Sequence, residues 1–275
     1  MPRKSPGLAW IMPELAEVAW YSKQWGSGFG KRIIDVRLHA QKRVFRGISP
    51  RALQQNLVGE KLLRSTTRGK RMLFVFSGGN WLGIHLGMTG RMHVAPADFR
   101  PEKHDHLVLY QRECALVFTD SRQFGRIRFH HGTTSPDWWA SDVPEIISYR
   151  FNRKFVDRFL DRHRQAPIKA VLLMQSGFSG IGNWMADEVL WRARIHPGTY
   201  VGKLSARQRV IIFRVTKFVT RESLRTLGKD NSDPPRSWLI HQKWKRQGTC
   251  PRDRMLLRHE TIGGRTTAWC PKCQG

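Results

Sequence analysis

Hydrophobic residues alternate with polar ones, or form short apolar runs, over most of residues 31–133. The runs are RIIDVRLHA, KRMLFVF, NWLGIHLGM, DHLVLYQ, CALVFTD and GRIRFHH. A period of two is typical of strands that bury one face. The turn sequence Ser77-Gly78-Gly79-Asn80 joins two of the runs, so the pattern predicts antiparallel strands packed as a β-sandwich.

A helical pattern precedes these strands, within residues 13–26. The side chains that recur at helical spacing are Leu15, Val18, Ala19, Ser22 and Trp25. Pro13 suits the first position of a helix, and the acids Glu14 and Glu17 stabilise a helix N-terminus. The pattern therefore predicts a helix with one buried face beside the sandwich.

The pattern changes to a helical period in the second half of the chain. Residues 134–150 have no clear period and predict a linker. Segments with helical period follow at residues 167–175, 183–195 and 205–224. The last begins with a capping box formed by Ser205 and Gln208, so we expect an α+β protein with a helical second domain.

A glycine-rich turn, SGFSGIGN at residues 176–183, separates the first two of these helices. It ends on Asn183, which is predicted to be the N-cap of the second helix. Free backbone N–H groups at such a helix start can bind a phosphate. The alternative is a tight turn between helices that binds no ligand, and the residues leave both open.

The chain is strongly basic. Lysine and arginine outnumber aspartate and glutamate by 48 to 21, which gives a formal charge of +27 spread along the chain and predicts a polyanionic partner. A basic structural protein of ribosome or nucleoid would also fit, but eleven tryptophans favour a folded enzyme. No apolar run has the length of a membrane span, and the first residues lack the order of a signal peptide. We expect a cytoplasmic, nucleoid-associated protein without membrane contact.

Three of the four cysteines lie in the last 26 residues, which favours a metal site over disulfides. Cys270 and Cys273 form a knuckle that supplies two thiolates to one metal, and Cys250 lies where a second knuckle would begin. Asp253 stands where the fourth thiolate is expected. The fourth ligand is therefore Asp253, or the nearby His259, or the site is completed by water or absent.

Seven motifs follow one another along the chain. They are MPELAEV (12–18), GK (69–70), HLGMTGRM (85–92), KHDHL (103–107), TDSRQFGRI (119–127), IGNWMADEVLWRARIHP (181–197) and GGRTTAWCPKC (263–273). In this order they resemble the formamidopyrimidine-DNA glycosylase and endonuclease VIII family. The similarity extends over nearly all of the chain from Met12 to Cys273.

The resemblance implies an antiparallel β-sandwich with a flanking helix, then a helix–two-turns–helix domain ending in a zinc-finger-like β-hairpin, with DNA between the two domains. The implied ranges are an extension at 1–12, the sandwich at 13–140, the helical domain at 150–228 and the hairpin at 246–275. The implied activity is that of a monomeric base-excision repair glycosylase and abasic-site lyase, with one Zn²⁺ per chain, acting on oxidised or abasic duplex DNA. The alternative is a lesion-binding protein of the same fold without this chemistry.

The resemblance also implies the catalytic residues. Pro13 would supply the nucleophilic amine that adds to the sugar C1′, and Glu14 would relay protons. Lys70 in a β-hairpin, Arg265 in the zinc hairpin and Asn183 at the helix start would hold phosphates next to the lesion.

A second group of residues would handle the distorted DNA. Met88, Arg122 and Phe124 would fill the space left by the flipped nucleotide and contact the orphaned base. His85, His104 and His106 match the family as candidate phosphate or pocket neighbours, and Lys169 matches a lysine near the family's active site. Of these, His104 and Lys169 are expected to bind DNA. A purely structural role for the histidines is equally compatible with the sequence.

Twelve residues precede Pro13 in the sequence, and a proline within the chain has an amide nitrogen that cannot act as a nucleophile. Three explanations are open. Translation starts at Met12 and the methionine is removed, or processing removes residues 1–12. Otherwise the extension is retained, and the protein binds damaged DNA without lyase chemistry or uses another amine such as Lys70.

Overall fold

The computed structural model describes residues 12–140 and 142–275, so the extension predicted for residues 1–12 lies outside the described residues except for Met12. The described residues form two compact units. The first contains Met12, Pro13 and Glu17–Asp142, and the second contains Glu14–Ala16 and Val143–Gly275. Among the described residues, none of the helices is both long and apolar enough to cross a membrane.

The first helix is shorter than its sequence pattern predicts. Helix α1 comprises Leu15–Tyr21, so Pro13 precedes the helix instead of starting it. After Tyr21 the chain tightens into successive turns and a short 3₁₀ segment at Gly26–Gly28, where two glycines disfavour a continued α-helix. Trp25 is nevertheless buried, as its spacing suggested, and its indole N–H donates to the carbonyl of Val117.

The first unit is a sandwich of two four-stranded antiparallel sheets, as predicted. The strands are β1 (Asp35–Leu38), β2 (Leu62–Arg68), β3 (Arg71–Phe76), β4 (Asn80–His85), β5 (Arg91–Pro96), β6 (Asp105–Tyr110), β7 (Cys114–Thr119) and β8 (Arg126–His131). One sheet has the order β1-β6-β7-β5 and the other β2-β3-β4-β8. Alternate residues of both sheets, such as Leu116 in one and Phe74 in the other, form the shared core.

Three elements of this unit were missing from the sequence-based prediction. Helix α2 (Pro50–Leu57) begins at an N-cap, Ser49, whose hydroxyl accepts from the N–H of Ala52. Strands β2 and β5 lie at sheet edges, and their outward-facing residues make them too polar to stand out. Only one of the seven residues of β2 and two of the six residues of β5 are buried, so their hydrophobic patterns are weak.

The second unit is helical and ends in a β-hairpin. Its elements are α3 (Arg153–Asp161), α4 (Ile168–Leu172), α5 (Asn183–Ala193), α6 (Ala206–Arg225), α7 (Leu227–Asp230), α8 (Ile240–Lys243), β9 (Arg258–Ile262), β10 (Arg265–Trp269) and α9 (Pro271–Gln274). The capping box of Ser205 and Gln208 is present at the start of α6. Helix α3, with only three buried residues in its nine, was not predicted.

Candidate functional site

The carboxylate of Glu14 is held at the N-terminus of α5. Its Oε2 accepts hydrogen bonds from the backbone N–H groups of Gly182 and Met185, at 2.8 and 3.2 Å, and its Oε1 accepts from Trp184 at 2.9 Å. The side chain is 1% exposed. A helix N-terminus with unsatisfied N–H donors is a strong site for an anion, so the residue that follows Pro13 is fixed in position.

This arrangement corrects the prediction made for the glycine-rich turn. The N-cap of α5 is Gly182, not Asn183, and the N–H groups expected to be open to a phosphate are bound to Glu14. A Cβ at Gly182 would lie 2.3 Å from the carboxyl carbon of Glu14. The glycine is therefore needed so that the acid can approach the backbone.

Asn183 is the first residue of α5, and its side chain serves a different purpose from capping. Its amide Nδ2 donates to the carbonyl oxygen of Thr266 in β10 at 2.9 Å. This bond ties the start of α5 to the hairpin that carries Arg265. The two residues predicted to hold phosphates, Asn183 and Arg265, therefore belong to one connected part of the second unit.

Lys169 lies in the interior, which corrects the prediction of a direct DNA contact in this conformation. Its side chain is 0% exposed, and its ammonium group pairs with Asp187, which also pairs with the buried ammonium group of Lys243. Burial lowers the pKa of Lys169 to about 8, although Asp187 opposes the change. Asp187 also accepts from the N–H of Ala268 in β10, so this triad joins α4, α5, α8 and the hairpin.

Four side chains of the C-terminal segment form a candidate metal site: Cys250, Asp253, Cys270 and Cys273. Their ligand atoms all lie within 4.8 Å of one another, with the sulfurs of Cys250 and Cys273 3.8 Å apart. Tetrahedral zinc with Zn–S bonds of about 2.3 Å requires sulfurs about 3.8 Å apart. The donor set and its spacing therefore fit a tetrahedral divalent ion.

Asp253 takes the position of the missing fourth cysteine. Its carboxylate lies 3.1 Å from the sulfur of Cys273 and 3.5 Å from that of Cys270. Burial raises the pKa of this carboxyl, but hydrogen bonds from Cys273, the Met255 N–H and the other thiols lower it to about 2. The carboxylate is therefore ionised and available as an oxygen ligand.

The alternative ligand, His259, is wrong. Its ring Nε2 lies 2.8 Å from the carbonyl oxygen of Lys243, and it is not part of the group of ligand atoms. His259 projects from β9, where it pairs across the hairpin with Ala268. It links the hairpin to α8 and does not complete the metal site.

Arg265 is the first residue of β10 and is exposed at the tip of the hairpin. The turn before it contains Gly263 and Gly264, and Arg265 pairs with Ile262 across the turn. The other end of the hairpin is held by the cysteine cluster, since Cys270 directly follows β10. The candidate metal site and Arg265 therefore lie at opposite ends of the same strand.

In the first unit, two loops bring together the three residues predicted to enter the DNA. Phe124 is 43% exposed, Met88 is half-buried, and the guanidinium of Arg122 lies over the Phe124 ring at 4.8 Å. Neither Met88 nor Phe124 is part of the sandwich core. Exposed apolar side chains beside an arginine suit a wedge that enters a base stack.

Asp120, to which the sequence analysis gave no role, holds these loops in place. One carboxylate oxygen accepts from the Thr89 hydroxyl at 2.5 Å and the other from the Gly125 N–H at 2.7 Å. Gly87, with φ of +63°, lies so close to the second loop that a Cβ would be 2.5 Å from the carbonyl carbon of Phe124. The only available signal was the place of Asp120 in TDSRQFGRI.

The histidines near these loops have different surroundings. His106 is fully buried, its Nε2 lies 2.8 Å from the Asp120 carbonyl oxygen, and burial lowers its pKa. It is therefore a structural residue. His104 is half-buried, and its backbone carbonyl accepts from the N–H of Asp120. Lys70 lies in the turn between β2 and β3 and is half-buried, beside the partly buried Arg71.

The model of the formamidopyrimidine-DNA glycosylase N-terminal domain matches residues 12–127, and the model of the H2TH domain of the same proteins matches residues 143–233. A formamidopyrimidine-DNA glycosylase of Roseiflexus sp. (strain RS-1) is 33% identical over 273 residues, which cover 96% of this chain and 100% of that protein. The Arabidopsis thaliana protein of the same name is 29% identical and aligns with 96% of this chain and 71% of its own.

Solved structures are similar over almost the whole chain. The Lactococcus lactis formamidopyrimidine-DNA glycosylase, bound non-covalently to DNA that contains an abasic site, is 26% identical with a TM-score of 0.83, and the match covers 95% of this chain and 99% of that one. The wild-type L. lactis protein in complex with DNA containing an oxidised pyrimidine is 25% identical with a TM-score of 0.84 and the same coverage.

Proposed function

This chain belongs to the formamidopyrimidine-DNA glycosylase family, and we propose that it removes oxidised bases from duplex DNA and then cleaves the strand at the resulting abasic site. The observation that carries the proposal is the fixed position of Glu14. Three backbone N–H groups of the glycine-rich turn and α5 hold the carboxylate of the residue that follows Pro13. Such a preorganised acid next to an amine suits proton transfer at a reacting sugar.

The proposed reaction begins with a free secondary amine at Pro13, so the active form is the one in which Pro13 is the N-terminus. The amine attacks C1′, the C1′–N bond to the damaged base breaks, and the base leaves with the bonding electrons and takes up a proton. Glu14 takes up the proton that the Pro13 nitrogen releases on attack and delivers it to the sugar ring oxygen, and ring opening then gives an iminium at C1′.

The iminium then serves as an electron sink for strand cleavage. Loss of the C2′ proton expels the 3′ phosphate by β-elimination, and a second elimination expels the 5′ phosphate. Water finally hydrolyses the iminium and restores the amine of Pro13. The carboxylate of Glu14 can accept and return protons in these steps without moving.

The remaining predicted residues are proposed to hold the DNA. Met88, Arg122 and Phe124 enter the stack where the damaged nucleotide has left, and the gap otherwise costs a few kcal/mol of stacking and pairing. The residues proposed to bind phosphates are Lys70, His104, Asn183 and Arg265. Lys169 is proposed to position Asn183 and the hairpin from the interior, because both contact the Asp187 triad or its neighbours.

We further propose that the ion of the cysteine cluster is zinc, held by Cys250, Asp253, Cys270 and Cys273. Zinc would supply structural rigidity to the hairpin that carries Arg265 and would take no part in the reaction. The ranges 13–140, 150–228 and 246–275 are proposed as the three DNA-contacting parts of one monomer. We propose that the protein acts at the nucleoid in the cytoplasm.

The proposal can be tested by borohydride trapping. Borohydride reduces an iminium between enzyme and DNA to a stable amine, so purified protein that starts at Pro13 should form a covalent adduct with duplexes that carry an abasic site or 8-oxoguanine. If the Pro13 amine is the nucleophile, the adduct should disappear when that amine is blocked by N-terminal acetylation, because an amide nitrogen cannot form an iminium. Intact-mass measurement must accompany each reaction, because it establishes which N-terminus is present.

A matched preparation that retains residues 1–12 is the control. It should bind the same duplexes and form no adduct, since its Pro13 nitrogen is an amide. If the protein that starts at Pro13 binds lesion DNA but gives neither adduct nor released base, the alternative of a non-catalytic lesion-binding protein is correct. An adduct that persists after N-terminal acetylation and disappears in Lys70→Met would assign the chemistry to the lysine.

A further inference from the structure

The outer face of the second sheet of the sandwich has a basic end. Arg71 in β3 pairs with His85 in β4, and His85 pairs with Arg126 in β8, so their side chains lie side by side on one face. Arg128 lies on the same face two residues along β8. The intervening residues of these strands, Met72, Ile84 and Ile127, belong to the core on the other face.

These side chains line a cavity of about 250 Å³. Its residues are Arg46, Arg71, Met72, Gly83, Ile84, His85, Phe124, Arg126, Arg128 and Trp138. Four of them are arginines, and none of the described residues that line the cavity is acidic. A pocket with this much positive charge and no lining carboxylate lacks an internal counterion.

The arginines are anchored by neutral groups instead of acids. Arg46 donates to the carbonyl oxygens of Gly125 and Arg43 at 2.8 and 3.0 Å, and Arg71 donates to that of Trp138 at 2.6 Å. The guanidinium of Arg128 lies over the Trp138 ring at 5.6 Å. These contacts orient the guanidinium groups but leave their charge unneutralised.

One donor in the cavity has no partner. The Nε of Arg126 is buried and makes no hydrogen bond to any described residue. An unsatisfied buried donor costs about 1–3 kcal/mol, and more when it is charged. An ordered water or a bound anion can accept this hydrogen bond, and an anion would also offset the positive charge of the cavity.

Burial and the mutual repulsion of these groups both lower their pKa values. Burial, and then the charges of Lys70 and the neighbouring arginines, lower the pKa of His85. Burial also lowers the pKa of Arg71 and of Arg128, and nearby arginines lower both further. A bound anion would relieve this repulsion.

We propose that this cavity binds a phosphodiester group of the DNA backbone, through Arg126 and Arg128 in particular. Guanidinium groups bind phosphate oxygens through paired N–H donors. Phe124 lies on the cavity rim and is one of the residues proposed to enter the base stack, so a duplex engaged by Phe124 has its backbone within reach. The inference rests on the proposed function as a DNA enzyme and adds a phosphate contact to it.

The salt dependence of binding to undamaged duplex tests this assignment. Each neutralised phosphate contributes about 0.9 to the slope of log affinity against log salt concentration. Arg126→Gln and Arg128→Gln should each weaken binding, and the double variant should reduce the slope by about 0.9 relative to the original protein. Arg128→Lys should keep the slope, because it keeps the charge.

The matched control is Arg112→Gln, which removes the same charge from an exposed position in the turn between β6 and β7. Melting temperatures of all variants show whether they fold. An unchanged slope in the double variant, or an equal change in Arg112→Gln, would overturn the proposal. Inorganic phosphate is tested separately in a thermal-shift assay. If phosphate raises the melting temperature of the original protein but the salt slope for DNA is the same in the double variant, the ligand is a small free anion and the proposal is overturned.

The result is separable from the proposed glycosylase activity. Binding to undamaged duplex involves no excision and no free amine at Pro13. If borohydride trapping fails but the double variant shows the expected reduction in salt slope, the proposed glycosylase chemistry is rejected and phosphate binding in the cavity is supported. Normal trapping with an unchanged salt slope would support the glycosylase chemistry but reject phosphate binding in the cavity.

Discussion

The carboxylate of Glu14 lies 2.9 Å from the backbone nitrogen of Trp184, a residue 170 positions further along the chain. Two more N–H groups of the same helix start share this carboxylate. The segment that follows the proposed nucleophile is thus tied to the helical unit by an anion at a helix N-terminus.

Glu14→Gln should reduce base excision and adduct formation about 100-fold or more, since proton transfer by a positioned acid contributes about 10²–10⁴ in rate. The amide has one acceptor oxygen for three N–H donors, and its NH₂ group would face at least one of them. Single-turnover excision under saturating enzyme measures the loss. Glu113→Gln, at an exposed position, should leave the rate unchanged.

Gly182→Ala should lower activity by displacing Glu14, because a Cβ there would lie 2.3 Å from the carboxyl carbon of Glu14. The substitution leaves every titratable group in place, so loss of rate would come from position alone. Gly26→Ala is the control, since a Cβ at Gly26 meets nothing within 4 Å. Equal rates in the two variants would contradict the positioning role.

Asp187→Asn should destabilise the protein by about 3–5 kcal/mol, because it leaves two buried lysines without a counter-charge. Lys169→Met should cost less, since one lysine and Asp187 then remain as a neutral pair. Denaturant unfolding measures both. Asp161→Asn breaks only the surface pair with Arg209, and its cost should stay below about 1 kcal/mol.

The same triad predicts a pH dependence of stability. The pKa of Lys169 is about 8 in the folded protein, against 10.5 for an exposed lysine. The unfolded chain therefore binds more protons between pH 8 and 10.5, and the contribution of this group to the free energy of unfolding rises with pH through that window. The rise should be absent from the same measurement on Lys169→Met, and an identical profile in both proteins would contradict the assignment.

Zinc affinity should depend on Asp253. Asp253→Ala should weaken binding by removing the oxygen ligand, and Asp253→Cys should strengthen it by completing a thiolate quartet. Competition with a chromophoric chelator measures the affinity. His259→Ala should not change it, because His259 contacts Lys243 and lies outside the ligand group. Removal of the ion should also weaken DNA binding, since the hairpin carries Arg265.

Much of the architecture could be predicted from local pattern. The strands β3, β4, β6, β7 and β8 could be predicted because their sequences are continuously apolar or alternate between apolar and polar residues. The capping box likewise predicts the start of α6. Strands β2 and β5 escaped prediction because few of their own side chains are buried, one of seven in β2 and two of six in β5. Helix α1 was predicted too long, because it ends at Tyr21 while Trp25, in the turns that follow, still packs inward and continues the helical spacing of buried residues.

The residues of the candidate site could likewise be predicted only in part from the sequence. The order of the sequence motifs along the chain identified the family. It also identified Pro13, Phe124 and Arg265, because each of them lies within one short contiguous motif. No local pattern reveals that Asp187 compensates two lysines or that Asp120 joins two loops, because these contacts link residues far apart in the chain.

The sequence by itself determined the fold class, the basic character and the three cysteines of the candidate metal site, because each of these depends on residue type and spacing. Only the tertiary structure decided that Asp253 and not His259 approaches the thiols, that the start of α5 is occupied by Glu14, and that Lys169 is buried. In each of these cases, more than one side chain or group had suitable chemistry for the position. The choice is made by packing and by the need to pair buried charges, which a linear pattern does not contain.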